Sequence, residues 1–154
     1  VLDGLAEEYQ LPVIISTHPR TRKRLEQLKS RKSDELIRFL KPFGFFDYVH
    51  LQMHAKCTLS DSGTISEESA ILSFPAISLR KSMERPEAQD AGSIILTGLN
   101  IDTVLNAIEA VINESELGSY RQIPNEYSIN NVSWRVLKLI LGNTFLSNLW
   151  WGIS

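Results

Sequence analysis

Short, mainly apolar runs alternate along this chain with stretches whose apolar residues recur every three or four positions. The runs "LPVIIST" (11–17), "KCTLS" (56–60), "PAISLR" (75–80) and "GSIILTG" (92–98) have the length and apolar content of buried strands. Helical patterns fall between them. "HPRTRKRLEQLKS" (18–30) opens on Pro19 and spaces Leu25 and Leu28 along one face. "SDELIRFLKPFGFFDY" (33–48) predicts a short helix from Asp34 to Leu40, stopped by Pro42 and Gly44, with one or two further turns in "VHLQMHA". "SGTISEESAILS" (62–73) and "NIDTVLNAIEAVINES" (100–115) predict two more, the second capped by Asn100 or Asp102 with Val104, Ile108 and Val111 on one side.

Strand and helix therefore alternate, which predicts an α/β fold: a Rossmann-like parallel sheet with helices on both faces and right-handed crossovers. Ligands of such sheets bind at the carboxyl ends of strands, beside the N-termini of the helices that follow. Beyond Gly118 the pattern changes to a loop and a helix from about Ser133 to Leu146, apolar around much of its circumference and followed by Trp150-Trp151. A terminal Trp pair is expected to pack on something.

Composition narrows the classes. The 154 residues fit one ordinary domain, and 43% apolar with 22% charged residues is globular. A net charge of −2 gives no field that favours nucleic acid or an anionic membrane. The single cysteine, Cys57, excludes an internal disulfide framework and agrees with a reducing compartment. No apolar run approaches the roughly 20 residues that span a bilayer, and no signal peptide is visible. The opening "VLDGLAEEYQ" lacks a methionine and enters part-way through an amphipathic helix, so the chain is expected to be a piece of a longer protein.

Two stretches carry chemistry. In "LSDSGTISEES" a strand turns through Ser62-Gly63 into a helix, presenting unpaired amides at the positive end of the helix dipole, an arrangement suited to phosphate. Gly63 would let a bulky anion approach the main chain. The same pattern also serves as a plain N-cap, with Ser62 bonding helix amides and Glu67 or Glu68 complementing the dipole. Glu68, under two turns beyond Ser62, is placed to accept two ribose hydroxyls. The knot Glu84-Arg85-Pro86-Glu87 is too charged for core: Arg85, extended by the proline after it, would project toward phosphate or sugar oxygens with Glu84 and Glu87 orienting it, unless the stretch is ordinary surface loop. His18 opens the loop after the first strand, in basic company. Phe43, Phe45, Phe46 and Tyr48 read as core, one of them available to stack on a base. His50 and His54 lack a third ligand at metal spacing. Neither a Walker loop nor G-x-G-x-x-G occurs.

"SDSGTISEES…FPAISLRKSMERPEAQDAGSIILTG" resembles the non-hydrolysing UDP-N-acetylglucosamine 2-epimerases, whose signature runs Asp-Ser-Gly-Gly-x-x-Glu-Glu, Pro-Val, Glu-Arg-Pro-Glu and Gly-x-x-x-x-x-Gly. The likeness covers about residues 11–114. It implies two Rossmann-like halves of the glycosyltransferase-B type with the nucleotide sugar between them. On it, residues 1–118 would form the C-terminal, UDP-binding half, and residues 119–154 a loop and helix crossing back to an N-terminal half. Ser62, Gly63 and Thr64 would hold the diphosphate, Glu68 the ribose, Tyr48 the uracil, and Arg85 the phosphate region. His18 matches the opening of the family's His-Arg-Arg-Glu-Asn motif, of which only His18 and, weakly, Arg20 carry over. Thr64-Ile65-Ser66 in place of the usual Gly-Ile-Gln is similar to the capsule and O-antigen branch that makes UDP-N-acetyl-L-fucosamine.

The resemblance implies an isomerase that inverts C2 of a UDP-2-acetamido sugar by anti elimination of UDP and re-addition, in the cytoplasm, as a homodimer, without a cofactor, metal, nucleic-acid or membrane partner. The family's main C2 carboxylates lie in the N-terminal half, so these residues alone would bind UDP weakly and turn nothing over. Two other readings remain: the nucleotide-binding half of a glycosyltransferase-B enzyme, and a non-catalytic UDP-sugar-binding module.

Overall fold

The computed structural model describes residues 1–18, 35–118 and 123–152. Helix α1 (Leu2–Tyr9) leads into strand β1 (Val13–Ser16), and β2 (Ile37–Leu40) pairs parallel to it. The order then runs α2 (Phe45–His54), β3 (Thr58–Ser60), α3 (Ile65–Leu72), β4 (Ala76–Ser78), α4 (Pro86–Asp90), β5 (Ile95–Leu96) and α5 (Ile101–Glu116). Strands β3, β4 and β5 form a second parallel sheet, with β4 central. A 3₁₀ turn (Asn125–Ser128) and helix α6 (Val132–Trp151) follow.

Residues 37–40 are strand, where the spacing predicts helix. Four residues are too few to separate the two periods. The sheet decides: Val13 to Ser16 pair with Ile37 to Leu40, and Ile37 and Phe39 turn inward while Arg38 and Leu40 stay exposed. All of the helix expected over 18–30 beyond His18, and Arg20 with it, lies outside the described residues.

Alternation along β4 divides the core. Ile77 packs with Leu5 of α1 and Val104, Ala107, Ile108 and Val111 of α5, against which Val13, Leu59 and Leu79 also lie. Its neighbour Ala76 packs on the other side with Ile65, Phe74, Ala88 and Ile94. Helices therefore cover the sheet on both faces. Each fully buried large side chain in these clusters contributes roughly 1.5–3 kcal/mol. The cap expected of Asn100 is present: its Oδ1 accepts from the Thr103 amide at 3.0 Å.

Helix α6 has no buried residue. Trp134, Leu137, Ile140, Leu141, Phe145 and Trp151 are among its exposed apolar side chains, and the Trp pair, expected to pack, is largely exposed among the described residues. Phe45 and Phe46, read above as core, are exposed as well, meeting edge to face at 5.5 Å.

Candidate functional site

The carboxyl ends of β3 and β4 lie side by side, tied by the Leu79 amide donating to the Ser60 carbonyl at 2.9 Å. From the first end runs the turn Asp61-Ser62-Gly63-Thr64, and from the second the segment Arg80 to Arg85. The turn is held locally. The Ser62 amide donates to Ser60 Oγ at 3.0 Å, and the Ser62 and Thr64 hydroxyls meet at 2.9 Å. Thr64, not Ser62, is the N-cap residue of α3, and it makes no side-chain cap hydrogen bond. Ser62 Oγ takes only a long contact, 3.4 Å, from the Thr64 amide. The plain N-cap reading is thus weakly realised, and the first intrahelical bond is Glu68 N–H to the Thr64 carbonyl. The amides ahead of it keep the capacity for an acceptor that helix N-termini hold.

An acidic oxygen already stands against Gly63. A Cβ built there would lie 2.7 Å from Glu84 Oε2 and 3.8 Å from an Arg80 guanidinium nitrogen. Arg80 Nη2 donates to the other oxygen, Glu84 Oε1, at 2.5 Å. The cation over the turn is therefore Arg80, which the sequence reading did not single out. Its signal was there: Arg80 and Glu84 are four apart, within reach of each other across one turn of chain.

Arg85 is oriented differently from the expectation. Its Nε donates to Glu67 Oε1 at 2.7 Å, so a carboxylate in the first turn of α3 holds it rather than that of Glu84, whose carbonyl accepts only a long contact from Nη1 at 3.4 Å. That hydrogen bond, then the Glu67 charge, raises the guanidinium pKa further, with Glu87 adding to it. Arg85 itself adopts φ −125° and ψ 73°, outside the helical region, and Pro86 takes the first position of α4.

Glu68 faces the opposite way, toward α2. The side-chain amide of Gln52 donates to Glu68 Oε2 at 2.6 Å. Tyr48, one turn earlier on α2, is half-buried. Burial first, then the negative charges of Glu68 and Asp61, push its phenol above the usual range, which sets all three groups in one neighbourhood. His18 stands exposed at the carboxyl end of β1, one residue beyond buried Thr17. The expected residues Ser62, Gly63, Thr64, Glu68 and Tyr48 thus gather around one turn, and Arg85 is held by Glu67 in the first turn of the helix that follows it. Glu67 and Gln52 were missed as partners because each acts through a neighbour that only the fold supplies.

Tyr127, from the 3₁₀ turn, packs on the Phe74 cluster, and its buried hydroxyl faces Glu87 without a hydrogen bond of ordinary geometry. Desolvation first, then the Glu87 charge, pushes the phenol up to about 12. A raised folded pKa contributes stability that is complete below the unfolded value near 10 and lost as pH rises through the folded one. Urea titrations at pH 9 and pH 12 are expected to differ more in the natural chain than in Tyr127→Phe, by about 1 kcal/mol after solvent screening. Equal losses in both would remove Tyr127 from that role.

The family description "UDP-N-acetylglucosamine 2-epimerase" matches residues 1–141. A UDP-N-acetylglucosamine 2-epimerase from Methanocaldococcus jannaschii is 37% identical over 113 residues, 71% of this chain and 31% of that protein. The solved structure of a UDP-N-acetylglucosamine 2-epimerase from Rickettsia bellii superposes with a TM-score of 0.81 at 40% identity, covering 96% of this chain and 40% of that one. The M. jannaschii enzyme in complex with UDP-GlcNAc and UDP superposes with a TM-score of 0.73 at 32% identity, over 89% of this chain and 37% of that one. The chain thus spans less than half the length of these relatives.

Proposed function

The chain belongs to the UDP-N-acetylglucosamine 2-epimerase family, and from that premise we propose that it is the UDP-binding part of an isomerase that inverts C2 of a UDP-2-acetamido sugar. The observation that carries this reading is the turn between β3 and α3, where helix amides lack a side-chain cap while a carboxylate oxygen rests against Gly63. The diphosphate takes that place, held by the main chain of Gly63 and Thr64 and by the Ser62 hydroxyl. Glu84 gives way to it, and Arg80 remains to neutralise it. Glu68 accepts the ribose hydroxyls and Tyr48 lies against the uracil. Arg85 and His18 complete the phosphate and sugar side.

The chemistry follows from the charges. Breaking the C1–O bond while C2 loses its proton leaves negative charge on departing UDP. Fixed amides and guanidinium groups stabilise that charge without reorganising. Re-addition of UDP to the unsaturated sugar, with the proton returned to the other face of C2, completes the inversion. Residues 1–118 form the UDP-binding unit, and residues 119–154, through the exposed apolar surface of α6, dock on the remainder of a longer protein. The Thr64-Ile65-Ser66 variant favours a 6-deoxy-talose-type UDP sugar as substrate, epimerised to a product of the UDP-N-acetyl-L-fucosamine type in the cytoplasm, for surface polysaccharide, by a homodimer. The likeness to epimerases across 96% of the chain favours this over a glycosyltransferase half or a binding module.

The reading is tested by titrating uridine, UMP and UDP into the chain by calorimetry. Each added phosphate is expected to tighten binding, by about tenfold from UMP to UDP. Equal affinities for uridine and UDP would refute a diphosphate site.

A further inference from the structure

Helix α2 inverts the usual rule of burial. It carries Phe45, Phe46, Leu51 and Met53, yet its only buried residue is Gln52, which is 3% exposed. Glutamine is seldom found so deeply buried. The site half-satisfies it: Nε2 donates to Glu68 Oε2 at 2.6 Å, while Oε1 is buried without a partner among the described residues. Leaving a buried acceptor unmade is costly, and a leucine or methionine would fill the same volume without that cost. What the polar side chain gains is one charge-assisted bond to a carboxylate on the neighbouring helix.

We propose that Gln52 is a positioning residue for nucleotide recognition: it fastens Oε2 of Glu68 so that Oε1 points to the vicinal hydroxyls of the ribose. A carboxylate on a flexible side chain must be ordered before it can accept two hydroxyl protons, and that ordering costs affinity. An amide fixed in the core removes the cost beforehand. Tyr48, four residues earlier on the same helix, lies on the same side, with its phenol in the field of Glu68. One helix face therefore bears both the group placed near the base and the group that sets the sugar acceptor. This inference rests on the UDP reading above.

The test compares UDP with 2′-deoxy-UDP in the natural chain and in Gln52→Met, with Gln52→Leu as a second variant of similar volume. The natural chain is expected to bind UDP about tenfold more tightly than the deoxy compound. In either variant that ratio is expected to fall below about twofold, with affinity for 2′-deoxy-UDP and the melting temperature little changed. A ratio preserved in the variants overturns the role of Gln52 while leaving the UDP site standing. Failure of the natural chain to bind UDP at all removes the underlying reading, and the inference with it. A measurement without substitution guards against variants that do not fold. The Gln52 side-chain amide protons are expected to shift on adding UDP and to shift much less with 2′-deoxy-UDP; identical responses count against the proposal.

Discussion

Gly63→Ala is expected to weaken UDP binding by about a hundredfold while changing folding stability by less than about 1 kcal/mol. The stability side follows from what the new methyl would meet. Its nearest neighbour is Glu84 Oε2, at 2.7 Å, the far end of a side chain that is 48% exposed and can swing into solvent. The Arg80–Glu84 pair broken by that swing is partly exposed at both ends, and such pairs contribute about 0–1 kcal/mol. Gly63 lacks the left-handed backbone that would strain an alanine. Binding has no such escape. The methyl stands where a phosphate must approach to reach the amides, and losing two hydrogen bonds to a charged group costs roughly 3 kcal/mol, about a hundredfold. Calorimetry with UDP and urea unfolding of the same variant separate the two effects. A large stability loss with unchanged affinity would place Gly63 in the architecture instead of the site.

The second large effect lies beneath the site. Phe74 is 2% exposed and packs among Ile65, Ala76, Ala88 and Ile94, so it joins the start of α3 to α4 across β4. Phe74→Ala is expected to destabilise the fold by about 3–5 kcal/mol, the transfer and cavity terms acting together. The urea midpoint should fall with little change in the slope of the transition. A loss under about 1 kcal/mol would mean that the helix carrying Glu67 and the one that Arg85 precedes are supported from elsewhere. The contrast with Gly63 is useful: one substitution removes the floor of the site and the other closes its mouth.

How much of this was legible in the sequence depends on the range over which each feature is decided. The turn at Gly63 and the helix after it are local: a strand run ends, a small-residue turn follows, and the amides that open as a result need no distant partner. Asn100 capping α5 is equally local. The strand Ile37–Leu40 was illegible because Leu36, Ile37 and Leu40 fit a helical spacing, and only pairing with Val13–Ser16 overrules it. The partner of Arg85 was misassigned for the same reason. Glu84 and Glu87 flank it in the chain, but β3 and β4 lie side by side and bring Glu67 to it. Gln52 gave no sign at all, since a lone glutamine among Leu51, Met53 and His54 reads as the polar side of a helix. Its burial is a property of how α2 sits against α3.

Among the described residues, the exposed apolar surface of α6 is a large feature that the two cores do not use. Its Trp134, Phe145, Trp150 and Trp151 are all more than half exposed. The hydrogen bonds that hold the turn from Ser60 to Thr64 do not involve this surface.

Amide chemical shifts followed while UDP is added to the isotope-labelled chain address the phosphate cradle most directly. The largest shifts are expected at the amides of Ser62 to Glu67, with smaller ones at Tyr48 and Arg80, and inorganic pyrophosphate should reproduce the first group alone. Shifts confined to other strand ends, with the amides between β3 and α3 unmoved at saturation, would contradict it.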